Sequence, residues 1–496
     1  MPHGGVAGEY TTPRSRFYDT GKFGRLFPTL PPFAADTPLI RNALIELGSA
    51  GGPMDAQDDL SDPVSLITDP AKSGNNPDNP SITAGFTFFG QFLDHDMTFD
   101  PTSSLARRQD PEAIRNFRIP ALDLDSLYGS GPSGSPHLYD QRIDGGRTTL
   151  LVEVNTGSAA VSIDGVDRFD LPRNSQRVAL VGDPRNDENL IVSQLHLAFA
   201  RFHNRVVADV TANRGAGVTP QEVFAEAQRV VRWHYQWLVL HEFLPLTVGD
   251  ALTNDVLTNG PLHYHWHNDP YIPVEFSVAA YRFGHSQVRP SYRANFGTSA
   301  TDLAQQFFAL VFDPTLPPGP DPDDLRGGHR APRRFIDWQT FFDFGDGRVR
   351  RNKRIDTTLS SVLFSLMGQP AGEPVSLATR NLLRNLTMGV PSGQRVAKAM
   401  ALPRLATADL ADLAPFHLHK RTPLWFYVLR EAGVMAGGER LGPVGGRIVA
   451  EVIIGLIIGD RLSYFSQDPD WRPTYGADDD FTAADLFRAA GVVAPL

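Results

Sequence analysis

Cysteine is absent from the 496-residue chain, which removes disulfides, cysteine-based zinc sites and any thiolate-ligated metal centre in one step. A bound transition metal must take its ligands from histidine or oxygen. Long apolar runs are missing too. The longest, Ile448 to Gly459, spans 12 residues, includes Glu451 and is flanked by Arg447 and Asp460, too short and too charged to cross a bilayer. Residues 1–30 hold no apolar core of the length a secretion signal needs, so the expected location is the cytoplasm, or outside the cell by leaderless export. A formal charge of −10 gives no positive surplus for general nucleic-acid binding. What the chain does have is a 41% hydrophobic content, ample for a core, with 40 prolines and 44 glycines that imply long ordered loops. The length fits roughly two to four average domains or one large one, and no internal repeat divides it.

The periodicity reads as mainly α. Residues 1–35 (ending LFPTLPPF before Ala34) form an expected extended arm, and 36–496 the main domain, beginning with a helix over 36–48. Helical patterns follow over Ile191–Val210, Gln221–Phe243, Leu359–Met367, Leu377–Met388, Arg395–Leu402, Pro423–Ala432 and Gly446–Ile458. Thr219-Pro220-Gln221-Glu222 is a capping box with proline at the first helical position. Thr148–Val154 and Ala160–Ile163 predict one or two small hairpins. Residues 314–334 are a Pro/Asp/Arg loop, and the basic stretch 346–354 reads as a solvated loop.

One stretch organises the rest. In Phe86–Asp100 (FTFFGQFLDHDMTFD), Phe86, Phe89, Leu93 and Met97 make an apolar stripe, while Gln91, Asp94, His95 and Thr98 share another face. One helix thus offers an amide, a carboxylate and an imidazole to a common space, and Asp96 points about a quarter-turn away. By itself this could be an amphipathic helix with its polar face in water. Four further stretches supply matching chemistry. Tyr281-Arg282-Phe283-Gly284-His285-Ser286 sits late in an apolar run, Glu275 to Val288, with Arg282 and His285 three apart on one helical face. Gly182 to Leu190 carries Arg185 and Glu188 at the same spacing. Arg118 to Gly129 sets Asp123 and Asp125 in a loop, and Asn381 to Pro391 (NLLRNLTMGVP) carries Asn381 and Arg384.

In this order and at these separations, the five stretches resemble the animal-type haem peroxidases of the peroxidase–cyclooxygenase superfamily, as a myeloperoxidase-like, bacterial-type member, from about Phe86 to Pro391. The resemblance implies a large haem-peroxidase domain with haem b between a distal and a proximal helix. It implies His95 as the distal base, neutral at neutral pH, Arg185 as the cation that stabilises the leaving oxygen, and Gln91 as the group that binds pocket water and small anions. His285 would be the axial ligand to the haem iron, with Asn381 on its other nitrogen, and Arg282 and Arg384 would pair with the propionates. The segment His263-Tyr264-His265-Trp266-His267 is a competing histidine cluster, but AYRFGH matches the proximal motif. Asp94 and Glu188 match the two carboxylates that form ester bonds to haem in mammalian members. Asn189 stands where the sulfonium-forming methionine would be, which weakens an expectation of chloride oxidation and leaves bromide, iodide, thiocyanate and phenols. Calcium would be bound by Asp96, the Ala121 carbonyl, Asp123 and Asp125, with Ile119 in place of a threonine ligand. The implied partners are hydrogen peroxide and a small anionic or aromatic donor. The alternative is a haem-dependent fatty-acid dioxygenase of the same superfamily, with Tyr264 or Tyr281 as the radical site.

Overall fold

The computed structural model describes residues 21–213, 217–266 and 270–496. Helices dominate it, and the strands are short and scattered. The first strand, β1 (Gly21–Gly24), lies between two partners that come later in the chain. A first helix, α1 (Pro38–Gly48), is capped by Thr37. Strand β2 (Asp78–Thr83) runs directly into α2 (Ala84–Met97), the stretch that organises the site.

Taken alone, the periodicity of α2 would allow a polar side facing solvent. Instead, every residue of α2 except Gly90 and Gln91 is buried, because aromatic rings surround it. Phe92 stacks on Phe199 with centroids 5.2 Å apart, and Phe89 meets Tyr235 edge-on at 6.2 Å. Its polar residues therefore face an internal space. Gly85 permits the approach, since a Cβ there would lie 2.3 Å from the Phe342 ring. The otherwise orphaned N–H groups of Ala84 and Gly85 donate to the carbonyls of Arg350 and Phe341 at 2.8 and 2.9 Å.

Strand β3 (Arg115–Asn116) pairs antiparallel with β1. The hairpin predicted near 146–180 exists, built from β4 (Glu153–Asn155) and β5 (Arg168–Asp170). Ala160–Ile163 is not a strand in it. The Ser158 hydroxyl donates to the Asn155 carbonyl and accepts from the Arg168 N–H, each at 2.6 Å, and the chain makes a 3₁₀ turn over Ser158–Val161. Helix α3 (Leu190–Asn213) and helix α4 (Pro220–Leu238) pack beside α2, and α4 opens with the Thr219–Glu222 capping box. Where a helix is expected to continue to Phe243, the chain passes through a π turn over Val239–Phe243. Helix α5 (Asp250–Asn259), which the periodicity did not single out, follows.

Strand β6 (Ile272–Pro273) pairs parallel with β1. The apolar run Glu275–Val288 does not form one helix. Ala279 leaves helical geometry (φ −131°, ψ −83°), splitting the run into turns over Val274–Ser277, Ala280–Phe283 and Gly284–Gln287. Buried Glu275 accepts the N–H groups of Leu26 and Phe27 at 2.9 and 3.2 Å, tying the segment after β1 to these turns.

Strands β7 (Ser291–Asn295) and β8 (Phe307–Leu310) form an antiparallel pair. The basic stretch 346–354 is not a solvated loop, because it contains β9 (Arg351–Lys353), which pairs with β2 and buries the Lys353 ammonium 2.8 Å from Asp78. Leu359–Met367 is not a helix either. The Leu359 backbone bonds to Met54 and Ala56 at 2.8 and 2.9 Å, leaving one 3₁₀ turn over Ser361–Phe364. Helices α6 (Leu377–Thr387), α7 (Gly393–Ala399), α8 (Leu424–Ala436), α9 (Pro443–Gly459) and α10 (Ala483–Ala490) complete the structure. Among the described residues no helix is long and apolar enough to cross a membrane.

Candidate active site

Helix α2, the turn before α3, the broken segment 274–287 and α6 enclose two adjoining cavities. The first, of about 480 Å³, is lined by Gln91, Asp94, His95, Arg185, Glu188, Arg282 and His285, and Val311, Phe312, Leu363, Leu366 and Met367 form its apolar wall. The second, of about 280 Å³, shares Arg185, Arg282 and His285 and adds Asp100, Asn381 and Arg384. A larger hollow of about 760 Å³ beside Gly249 and Arg440 has no histidine in its lining. The haem-site residues read from the five stretches all line one or both of the first two cavities.

His95 is buried, and desolvation followed by the charge of Arg185 lowers its pKa to about 4. Its Nδ1 lies 2.8 Å from Asn186 Oδ1, and Asn186 Nδ2 lies 3.0 Å from His196 Nδ1. Its Nε2 is 3.7 Å from Glu188 Oε1. Neither Asn186 nor His196 was singled out from the sequence. A lone Asn in a loop and a lone His on an apolar helix give no periodic signal, although both lie within eleven residues of Arg185.

Arg185 is held rigidly. Its guanidinium donates to Asp183 at 2.8 and 3.1 Å and to the carbonyls of His95 and Thr98 at 3.1 and 2.5 Å. Its Nη1 has no protein partner among the described residues. Burial works to raise the pKa of Asp183, but Arg185 and Arg118 outweigh it and hold this carboxyl well below the usual carboxylate range. The Gln91 amide is already engaged: Nε2 donates to Glu188 Oε1, and Oε1 accepts from Asn189 Nδ2 at 3.3 Å. Asn189 also caps α3 by accepting the Val192 N–H at 2.9 Å. The Glu188 side chain is 43% exposed, and desolvation of its carboxyl in the cavity pushes its pKa up to about 7. At Asp94 burial is again the largest influence and acts upward, but Arg282, 3.7 Å away, and Arg185 leave the pKa lowered.

His285 is also neutral, its pKa lowered to about 3 by burial and then by Arg282. Its Nδ1 lies 2.8 Å from Asn381 Nδ2. Oriented this way, the amide donates to Nδ1. A half-turn of the amide would instead let Oδ1 accept an Nδ1–H and leave Nε2 free to bind a metal. Arg282 and Arg384 face one carboxylate, Asp100, in the second cavity. Burial and the charge of Arg282 lower Arg384 to about 10, while Arg282 itself pairs with Asp94 at 3.7 Å.

Asp96 points away from the cavities toward Asp123 and Asp125, and the three offer carboxylate oxygens within 4.8 Å of one another. Asp96 Oδ2 accepts from Leu124 N–H at 3.1 Å and the Tyr235 hydroxyl at 3.2 Å, whereas buried Oδ1 has no partner among the described residues. Burial and mutual repulsion raise Asp96, and burial raises Asp123 and takes Asp125 to about 7. Arg118 reaches Asp125 at 3.0 Å and Asp183 at 2.6 Å. Leu124, at φ 62°, takes the left-handed conformation between the two loop aspartates. Of the competing histidine segment, buried Tyr264 donates to the Tyr271 carbonyl at 2.6 Å, His263 to Trp266 lie outside the cavity linings, and His267 lies outside the described residues.

Two neutral imidazoles, His95 and His285, thus line one cavity beside Arg185 and Arg282 on a mainly α scaffold. The chain belongs to the animal haem peroxidase family, whose family model matches residues 110–414. It is similar to the chorion peroxidase of Drosophila melanogaster, 25% identical over 354 residues covering 70% of this chain and 40% of that protein. It is also similar to human thyroid peroxidase, 26% identical over 338 residues covering 64% of this chain and 33% of the relative. The chain thus spans well under two thirds of the length of either. In structure it resembles peroxidase A from Dictyostelium discoideum (TM-score 0.60, 17% identity, covering 100% of this chain and 98% of that one). It also resembles a fatty acid alpha-dioxygenase from Oryza sativa (TM-score 0.55, 15% identity, covering 89% and 78%). Family membership implies a haem cofactor.

Proposed function

We propose that the protein is a haem peroxidase that takes hydrogen peroxide as oxidant and a small anionic or aromatic donor, such as bromide, iodide, thiocyanate or a phenol, as reductant. The observation that carries this reading is the neutral imidazole of His95 beside the pinned guanidinium of Arg185 in a buried cavity that also contains neutral His285. The residues fit haem b. His285, with Asn381 behind it, would hold the haem iron, and Arg282 and Arg384 would meet the haem carboxylates. Asp94 and Glu188 would be joined to it by ester bonds. Bound there, haem supplies the two-electron oxidation chemistry. His95 Nε2 takes a proton from hydrogen peroxide and delivers it to the departing oxygen. Arg185 Nη1, held in a site largely removed from water, stabilises the negative charge that develops on that oxygen.

The test is rapid mixing of haem-loaded protein with peroxide and then, separately, with bromide, thiocyanate, a phenol or linoleate. A peroxide-induced change in the Soret band that an anion or phenol reverses is the expected result. Failure of every donor to return the ferric spectrum would overturn the reading. A second reading, a fatty-acid dioxygenase, rests on Tyr281, which lines the cavity and donates its hydroxyl to the Gly90 carbonyl at 3.1 Å, and on the apolar wall around Phe312. Oxygen uptake with linoleate, and no oxidation of the other donors, would favour it.

Calcium at Asp96, Asp123, Asp125 and the Ala121 carbonyl belongs to the same proposal. Three repelling carboxylates and an unpartnered buried oxygen suit a hard dication. Chelation is expected to lower Tm by about 5 °C, with recovery on adding calcium. Asp123→Ala should lose this response, and a Tm indifferent to chelator in the wild type would exclude the site.

A further inference from the structure

Resting on the peroxidase reading, a second assignment concerns the groups behind the distal histidine. A neutral imidazole carries one proton, and the hydrogen bond at one ring nitrogen decides which nitrogen keeps its lone pair. His95 can act as a base toward the cavity only if Nε2 is bare, which puts the proton on Nδ1. The protein atom 2.8 Å from Nδ1 is Asn186 Oδ1, an acceptor and never a donor. An amide has two chemically opposite ends, so whatever fixes one end fixes the other. Asn186 Nδ2 lies 3.0 Å from His196 Nδ1, where a donor needs an acceptor.

We propose that Asn186 is a positioning residue that holds His95 as the Nδ1–H tautomer, and that His196 holds the Asn186 amide in the required orientation. The three side chains form a relay in which the proton position on His196 dictates the proton position on His95. All three are buried, with Asn186 at 0% and the two imidazoles at 4% exposure, so water does not compete for these bonds. The relay leads away from the cavity: Asn186 and His196 do not line it, and His196 packs against the Phe92 ring with centroids 6.3 Å apart. Neither residue touches a reacting atom. Asn186 sits in the 3₁₀ turn Pro184–Asp187 that also carries Arg185, so one turn sets both the tautomer of the base and the place of the cation.

The test begins without haem. Nitrogen-15 NMR of histidine-labelled apoprotein, with the His95 signals assigned by their loss in His95→Gln, is expected to show His95 protonated at Nδ1. In Asn186→Leu, which matches the shape but removes the acceptor, that signature should give way to Nε2 protonation or a mixture. In Asn186→Asp, which keeps an acceptor oxygen, it should persist, with His196 switching to the Nδ1–H form. Wild-type His95 protonated at Nε2, or an unchanged Nδ1–H in the leucine variant, overturns the assignment. If the leucine variant does not fold, the wild-type and aspartate spectra decide the question. With haem bound, the leucine variant should slow the peroxide step about 100-fold while the aspartate variant stays within a few-fold of wild type, and equal losses in the two would also overturn it. The apoprotein spectra stand apart from turnover, so a protein with the Nδ1–H relay that does not react with peroxide would count against the peroxidase reading and leave the relay intact.

Discussion

His285→Ala is expected to yield a protein that no longer retains haem. Among the described residues His285 and His95 are the two histidines lining the 480 Å³ cavity, and His95 is turned toward Asn186 and Glu188. No cysteine exists to substitute as a ligand. The His285 imidazole is already neutral, its pKa lowered to about 3 by burial, so binding a metal requires only that its one proton sit on Nδ1, with no net proton release. Loss of an outer hydrogen-bond partner costs roughly 10–100-fold in metal affinity. Asn381→Ala should fall in that range, and removal of the ligand itself should exceed it. The measurement is the haem-to-protein ratio after gel filtration, read from the Soret band. Normal haem content in His285→Ala would remove it as the axial ligand.

His95→Ala should keep haem and slow the reaction with hydrogen peroxide by about 10²–10⁴-fold, the range spanned by general acid–base catalysis. The pH dependence of the wild type adds a signature. A base whose pKa has been lowered to about 4 by burial and Arg185 is mostly unprotonated from about pH 5 upward. The acid limb of the rate should therefore fall near pH 4, where a solvent-exposed histidine would lose activity near 6.5. Stopped-flow traces of the Soret band across this range give both results. An unchanged rate in His95→Ala discards it as the base, and an acid limb near 6.5 means that the imidazole is not desolvated.

The shared face of this site was legible in the sequence because helical spacing is a geometric instruction, whereas the roles given to its residues came from the family resemblance. Gln91, Asp94 and His95 share a face of α2, and Asp96, rotated about 100° from its neighbour, was bound to serve a different neighbourhood. The Thr219–Glu222 box announced α4 because it satisfies backbone donors locally. Three kinds of feature were not legible. The break at Ala279 depends on tertiary packing that the apolar run Glu275–Val288 does not encode. Leu359–Met367 has helical periodicity, but its backbone pairs with Met54 and Ala56, some 300 residues earlier in the chain. Asn186 and His196 lack any pattern, since a hydrogen-bond relay between single residues on a turn and a helix becomes visible only when the chain is folded.

His95 and Asp96 are consecutive residues of one helix, and this joins the buried imidazole to the carboxylate cluster mechanically. Helix α2 is buried except at Gly90 and Gln91 and borders the cavity on one face. A twist of about 20° would carry atoms at the outer radius, roughly 5 Å from the axis, through about 2 Å. Displacements of half that size can cost about 10²-fold in rate. An ion clamped on Asp96 would resist such a twist as a key resists the turning of a shaft. The aspartate cluster would then act on the chemistry as a restraint on azimuth, felt at His95 one residue away.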